Sequence, residues 1–208
     1  DEPKDGGFGV ITIDGVPALS SAEIPILPIE SLKILGKHNH ANCLAALAAG
    51  QLIGLGVTSM IETLREFSGL SHRMQVVGNS DGIQFINDSK ATNVSAAIAS
   101  VSAIQGNVIL IAGGDGKGGD FSELANATAK NLRAVILIGQ DARSIEQAFD
   151  GLVQTTLVND LSQALIVASK IAKSGDSVLL APACASHDQY IDYRARGEHF
   201  EREVEALL

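Results

Sequence analysis

Apolar positions follow two regimes along this chain, and the change between them falls near residue 70. Upstream the pattern is short and broken. Residues 8–13 read as a strand, Asp14-Gly15 as a turn, and residues 24–27 and 32–35 as further strands interrupted by Pro17, Pro25 and Pro28. From 39 to 53 Ala and Leu recur at helical spacing and stop at Gly54 and Gly56. A second helix begins near Thr58, with Ser59 and Glu62 spaced as a capping box, and ends at Ser68-Gly69.

Downstream, strand and helix patterns alternate. Strands are predicted at 74–77, 83–86, 108–112, 134–138, 155–158 and 178–180, with Asn79-Ser80-Asp81-Gly82 as a hairpin turn. Helices are predicted at 94–101, 121–129, 142–149 and 161–172, and a last one from 186 to 208. Thr92 or Asn93 could cap the first of these, and Ser186 the last. Apolar strands alternating with helices predict an α/β fold, a Rossmann-like, mostly parallel sheet with helices on both faces. The boundary between the regimes is placed at 69–74.

Composition narrows the field. The 208 residues are 46% hydrophobic, enough for packed cores, and the net charge of -9 without a basic stripe speaks against general nucleic-acid binding. No apolar run approaches the ~18 residues of a membrane span. The opening Asp1-Glu2-Pro3-Lys4-Asp5-Gly6-Gly7 lacks the order of a signal peptide and reads as a surface loop entered partway, so the chain is expected to be a fragment. Cys43 and Cys184 lie far apart in Ala-rich surroundings with no CxxC spacing. Buried reduced thiols are expected rather than a disulfide or metal site, which fits the cytoplasm.

If the strands are parallel, their carboxyl ends share one edge, and three polar loops leave it. The first, Asn87-Asp88-Ser89-Lys90-Ala91-Thr92-Asn93, gathers an acid, a base and two hydroxyls, although a polar loop with an N-cap would look the same. The second, residues 113–120, contains Gly114, Gly116 and Gly119 in GxGxxG spacing, with Asp141 beyond the next strand. That pattern raises a dinucleotide site, yet it discriminates weakly among 21 glycines. Lys117 at its centre better suits a small anion such as a carboxylate. The third, Ala181-Pro182-Ala183-Cys184-Ala185-Ser186-His187-Asp188, could offer the Ser186 hydroxyl and nearby N–H groups to an anion. Its Ser-His-Asp run lacks a GxSxG elbow, and sequential neighbours rarely form a relay. Arg73, after His72, could reach a phosphate or form a surface ion pair. No GxxxxGK[ST] occurs.

Taken together these segments resemble the Mur ligase family. The resemblance rests on Gly36-Lys37-His38-Asn39-His40-Ala41-Asn42, Gly69-Leu70-Ser71-His72-Arg73, the 87–93 string, Gly113-Gly114-Asp115-Gly116-Lys117, Pro182-Ala183-Cys184-Ala185-Ser186-His187-Asp188-Gln189, and Arg196-Gly197 before Phe200. Asp-Ser-Lys-Ala-Thr-Asn is similar to the D-glutamate-adding branch in particular. Tyr193 and His187 depart from the family pattern, which has phenylalanine and an apolar residue there.

The resemblance implies two parts: residues 1–70 as the end of a central ATP-binding domain, and 71–208 as a Rossmann-like amino-acid-binding domain, closing about residues 69–73. It implies an ATP-dependent ligase that joins D-glutamate to UDP-N-acetylmuramoyl-L-alanine through an acyl phosphate in peptidoglycan precursor synthesis, with the fragment alone inactive. ATP and Mg2+ are the implied cofactors, the metal ligands lying outside this chain. The implied partners are small-molecule substrates, with no nucleic acid and no membrane span, and the implied assembly is a monomer. Asn39 and Asn42 would contact adenine, Arg73 the ATP phosphates, Asp88 the ribose or nucleotide, and Lys90 the transferring phosphoryl group. Arg73 and Lys90 are thereby the catalytic candidates. Thr92, Lys117, Ser186 and Tyr193 would bind D-glutamate. Two other readings stay open: a non-catalytic dinucleotide-binding module, and a related ligase for another amino acid.

Overall fold

A computed structural model describes residue 3, residues 7–34 and residues 36–208, with the His38 side chain outside the described set. The chain forms two compact units, Asp1–Gly69 and Leu70–Leu208.

The first unit is a three-stranded antiparallel sheet with two helices. β1 (Phe8–Ile13), β2 (Val16–Ser21) and β3 (Ile24–Pro28) pair in sequence order. The middle strand was not expected, because Pro17 seemed to forbid it. Pro17 pairs only with Thr12 of β1, and pairing with β3 begins at Ala18, so no β3 acceptor meets the missing N–H. The strand expected at 32–35 is absent from 32–34, and Leu35 lies outside the described residues. A 3-10 turn at Ile29–Ser31 follows Pro28, and the Leu32 N–H closes it on Ile29 O.

α1 (Lys37–Leu52) and α2 (Val57–Glu66) complete this unit. α1 begins after Gly36, which makes Asn39 a helical residue rather than a cap. α2 begins after Gly56 without a side-chain cap, so Ser59 and Glu62 sit too far inside to form the expected capping box. Leu19, Leu27, Cys43, Leu47, Met60 and Leu64 meet in one apolar core.

The second unit is a six-stranded sheet in the order β4-β5-β9-β6-β7-β8. β4 (Gln75–Ser80) pairs antiparallel with β5 (Ile83–Asn87) across Asp81-Gly82, both at positive φ as a tight hairpin requires. Every other pairing, among β5, β6 (Val108–Gly113), β7 (Leu132–Ile138), β8 (Thr155–Leu157) and β9 (Ser177–Leu180), is parallel. β9 comes last in sequence yet lies between β5 and β6. Its four residues are buried, and Val178 and Leu180 share a core with Ile109, Ile111, Ile136 and Phe85.

α6 (Leu161–Ile171) and α7 (Tyr193–Leu207) close that core with Leu161, Leu165, Phe200 and Val204. Strand residues of the opposite parity, such as Leu110, Val135 and Leu179, are wholly buried on the other face. α3 (Val94–Ser102), α4 (Ser122–Thr128) and α5 (Ala142–Ala148) are the remaining helices. α7 starts later than expected: Asp192, not Ser186, caps it by accepting the Ala195 N–H at 2.9 Å.

Asp176, just before β9, is held by Arg133 of β7 through Nε at 2.5 Å and Nη2 at 2.8 Å, and it accepts the Lys173 N–H at 2.9 Å. These bonds, Arg133 foremost, hold its carboxyl below the ordinary value of 3.8 against the effect of burial. A depressed folded pKa contributes stability that is present above the unfolded value and lost as pH falls through the folded one. Urea midpoints of wild type and Asp176→Asn should therefore differ most at neutral pH and converge below about pH 4. Parallel profiles would show that the pair does not govern the acid limb.

Candidate functional site

Asn87, Leu180 and Ile111 stand abreast on neighbouring strands, so β5, β9 and β6 release their loops side by side. Hydrogen bonds then stitch the loops together. Asp88 N–H donates to Leu180 O at 2.8 Å and Gly113 N–H to Pro182 O at 2.8 Å. Ala183 N–H donates to Ala91 O at 2.9 Å, and Asp115 and Ala185 exchange bonds at 3.0 and 2.8 Å. Gly113, at φ 120, is required by this edge: a Cβ there would lie 1.9 Å from Ile138 O.

Arg196 of α7 braces the same loops. Its guanidinium is 1% exposed and donates from Nε to Ser89 Oγ at 3.0 Å, and from Nη2 to Ser89 O at 3.0 Å and Cys184 O at 3.1 Å. No carboxylate among the described residues forms an ion pair with it. Burial pulls its pKa down to about 10, so it stays charged at neutral pH. Burial pushes the Cys184 thiol up to about 12, which makes it an inert packed thiol, and both cysteines are free and buried as expected.

A second brace joins β5 to α7. Asn87 is fully buried, and its Nδ2 lies 2.8 Å from Glu201 Oε1, 3.1 Å from Gly197 O and 3.0 Å from His72 Nδ1. His72 sits at φ 62 with its ring against Gly197. His72 belongs in the fold to this buried polar cluster. Arg196 belongs to the Arg196-Gly197 motif, for which the resemblance implies no task. The available signal was its spacing with Phe200 and Val204, which sets a charge on the buried stripe of an amphipathic helix.

The predicted site residues fall into distinct settings. Thr92 is half-buried, Lys117 is exposed at φ 51, and Ser186 is 2% exposed. The hydroxyls of Thr92 and Ser186 and the Lys117 ammonium have no partner among the described residues. All three lie on the stitched loops: Thr92 follows Ala91, Ser186 follows Ala185, and Lys117 lies two residues past Asp115. Asn93, rather than Thr92, caps α3 by accepting the Ala96 N–H at 2.9 Å, which leaves the Thr92 hydroxyl available.

Lys90 Nζ lies 4.2 Å from the Tyr193 ring centroid, a cation–π contact that fastens both side chains. Asp88 is buried and accepts the Ser100 hydroxyl. Arg73 is exposed, its guanidinium without a partner among the described residues. In the first unit, Asn42 Nδ2 donates to Asn39 Oδ1 at 3.2 Å.

The glycine loop has a structural explanation. Asp141 accepts the Gly116 N–H at 2.7 Å, and its own N–H donates to Gly114 O at 3.0 Å. The acid that a dinucleotide site would present to a ribose thus caps the loop itself. Phe121 packs against Gly116, and α4 begins only at Ser122, beyond the glycines.

This fold is shared with solved structures. UDP-N-acetylmuramate-alanine ligase from Thermotoga maritima superposes with a TM-score of 0.66 at 18% identity, covering 92% of this chain and 43% of that one. Folylpolyglutamate synthase from Mycobacterium tuberculosis, complexed with ADP and AMPPCP, gives 0.68 at 14% identity, covering 94% and 48%. The sequence narrows the class. Residues 72–184 match the domain family described as "Mur ligase, glutamate ligase domain". UDP-N-acetylmuramoylalanine--D-glutamate ligase from Methylococcus capsulatus is 47% identical over 93% of this chain and 42% of its own length. Its counterpart from Pseudomonas aeruginosa is 44% identical over 99% and 47%. The chain belongs to the Mur ligase family, and it spans less than half the length of these curated relatives.

Arg196→Lys should show what the guanidinium holds. Lysine keeps the charge but cannot reach the Ser89 and Cys184 carbonyls as a fork, so buried acceptors lose their donors. A loss of about 2–4 kcal/mol in urea-measured stability is expected. A loss below about 0.5 kcal/mol, the scale of surface substitutions, would show that the loops hold without it.

Proposed function

We propose that this chain supplies the D-glutamate site, and part of the ATP site, of an ATP-dependent ligase that forms UDP-N-acetylmuramoyl-L-alanyl-D-glutamate for peptidoglycan. The observation that carries the reading is the set of groups on the stitched loops that no described residue partners: the Thr92 and Ser186 hydroxyls and the Lys117 ammonium. Donors of this kind suit a small dicarboxylate, and family membership with the named relatives supports D-glutamate.

In this reading the carboxylate of the UDP-sugar substrate is phosphorylated by ATP, and the amine of D-glutamate displaces phosphate from the acyl phosphate. The residues of this chain bind and orient. Thr92, Lys117 and Ser186 hold the two carboxylates of D-glutamate, with Tyr193 packing beside them. Lys90, braced by the Tyr193 ring, and Arg73 offer positive charge to phosphoryl oxygens. Asn39 and Asn42 present amides to adenine, and Asp88 supports the nucleotide side of its loop. Positioning and charge stabilisation carry most of such a reaction.

Among the described residues no group of three or more His, Cys, Asp or Glu could hold a metal. The family resemblance implies that a Mg2+ ion would take its protein ligands from elsewhere in the full-length enzyme. No described helix is long and apolar enough to cross a membrane. We assign the enzyme to the cytoplasm, where reduced thiols persist, and propose that it acts as a monomer.

An NMR titration of the chain with D-glutamate, with L-glutamate and NAD as controls, tests the reading. Saturable shifts at Thr92, Lys117 and Ser186 with D-glutamate alone are expected. Lys117→Ala should weaken that binding by about 10–100-fold, the scale of a lost charge-assisted hydrogen bond. Shifts around Gly114 and Gly116 with NAD instead, or equal binding of both glutamate enantiomers, would overturn it.

A further inference from the structure

The connection from β9 to α7 leaves Ser186 on irregular backbone, and residues 188–190 each reach a different neighbour. Asp188 Oδ2 accepts the Gln140 N–H at 2.9 Å, between β7 and α5. Gln189 Nε2 donates to Asn159 O at 2.9 Å, just ahead of α6. Tyr190 turns toward α7, where its hydroxyl lies 2.8 Å from His199 Nδ1 and the two rings stand 5.8 Å apart. The backbone of this run closes on Ser186: the Gln189 and Tyr190 N–H groups both donate to Ser186 O, at 3.1 and 2.8 Å.

His199 is held on its far side as well. Its Nε2 lies 3.2 Å from Ser162 Oγ of α6 and 3.2 Å from Glu203 Oε1 of α7, and the Ser162 hydroxyl donates to the same carboxylate oxygen at 2.8 Å. The Nε2–H tautomer of His199 is compatible with every contact. Tyr190 O–H donates to Nδ1, Nε2–H is shared by Ser162 and Glu203, and Ser162 O–H donates to Glu203. Burial pushes the Tyr190 hydroxyl up to about 12, so the first donor keeps its proton. Despite its composition the cluster is no hydrolytic relay. Glu203 shares Nε2 with the serine, whereas a relay needs the acid on Nδ1, which Tyr190 occupies.

We infer that Tyr190, hydrogen-bonded to His199 and through it to Ser162 and Glu203, is a positioning residue that holds Ser186 at the edge of the amino-acid site. Its functional consequence rests on the reading of Ser186 proposed above; its structural consequence rests on the geometry alone. Upstream of Ser186, the Asp115–Ala185 pairing fixes the backbone. Downstream no strand or helix begins until Tyr193, so side-chain anchors must do the same work. Tyr190 is the anchor that reaches a half-buried polar network and thus ties the serine to the α6–α7 layer.

Tyr190→Phe in the full-length protein removes the hydroxyl and keeps the ring. KM for D-glutamate should rise about fivefold, the scale of one neutral hydrogen bond, with kcat within about twofold. Hydrogen exchange at 186–190 should quicken by a similar factor. His199→Leu should give the same pattern, and the double variant should be no worse than the worse single one, since the pair acts as a unit. Unchanged exchange at 186–190, or additive effects of the two substitutions, would overturn the inference. A wild-type enzyme that does not use D-glutamate would sink the proposed function instead, and the exchange measurement would still decide whether Tyr190 holds the loop.

Discussion

A buried guanidinium with no ion-pair partner among the described residues organises this site. Arg196 carries its charge into the fold and compensates it with the carbonyls and hydroxyl of the loops that leave β5 and β9. Removing a charge from water costs far more than burying an apolar group unless hydrogen bonds replace the lost hydration. The loops therefore have to present those oxygens where the fork can meet them. The constraint runs in both directions: the loops hold the arginine, and the arginine sets the loops. Gly113 and Gly114 let the β6 loop come close enough to join, since a side chain at either would strike backbone of a neighbouring segment.

The consequence is a site whose frame is satisfied and whose functional groups are not. Backbone N–H groups at the edge donate to carbonyls of neighbouring loops and strands, Asp88 accepts the Ser100 hydroxyl, and Asp141 closes the glycine loop. The hydroxyls of Thr92 and Ser186, the Lys117 ammonium and the Arg73 guanidinium have no partner among the described residues. Such preorganisation favours binding because little reorganisation is left when a ligand arrives. The Gly114-Gly116-Gly119 pattern, which resembles a dinucleotide fingerprint, has a structural explanation of its own. Its glycines serve close packing of backbone and Phe121, and the acid that completes the pattern faces inward.

Much of the secondary structure was legible because burial imposes periodicity on local sequence. The strands from 83 to 180 and helices α3 to α6 follow from apolar runs and from polar residues at their ends. The misreadings share one cause. Pro17 looked like a strand breaker because the sequence does not show that pairing with β3 starts only beyond it, at Ala18. Ser59 looked like a cap because a suitable acid followed it, although the helix had already begun at Val57. Ser186 looked like the cap of the last helix, but that helix starts after Asp192, because contacts from 188–190 hold the intervening backbone out of helical form.

The sequence by itself determined which residues end strands, which loops are polar, and which side chains could meet a carboxylate or a phosphate, since these depend on neighbours within a few positions. The tertiary structure alone decided that β9 lies between β5 and β6, that Arg196 is buried, and that Thr92, Lys117 and Ser186 ride on loops bonded to one another. Those facts depend on register between segments up to about a hundred residues apart, as in the Asn87–Gly197 and Ser89–Arg196 bonds. Local periodicity says which face of an element is buried; it carries no information about which distant element will bury it.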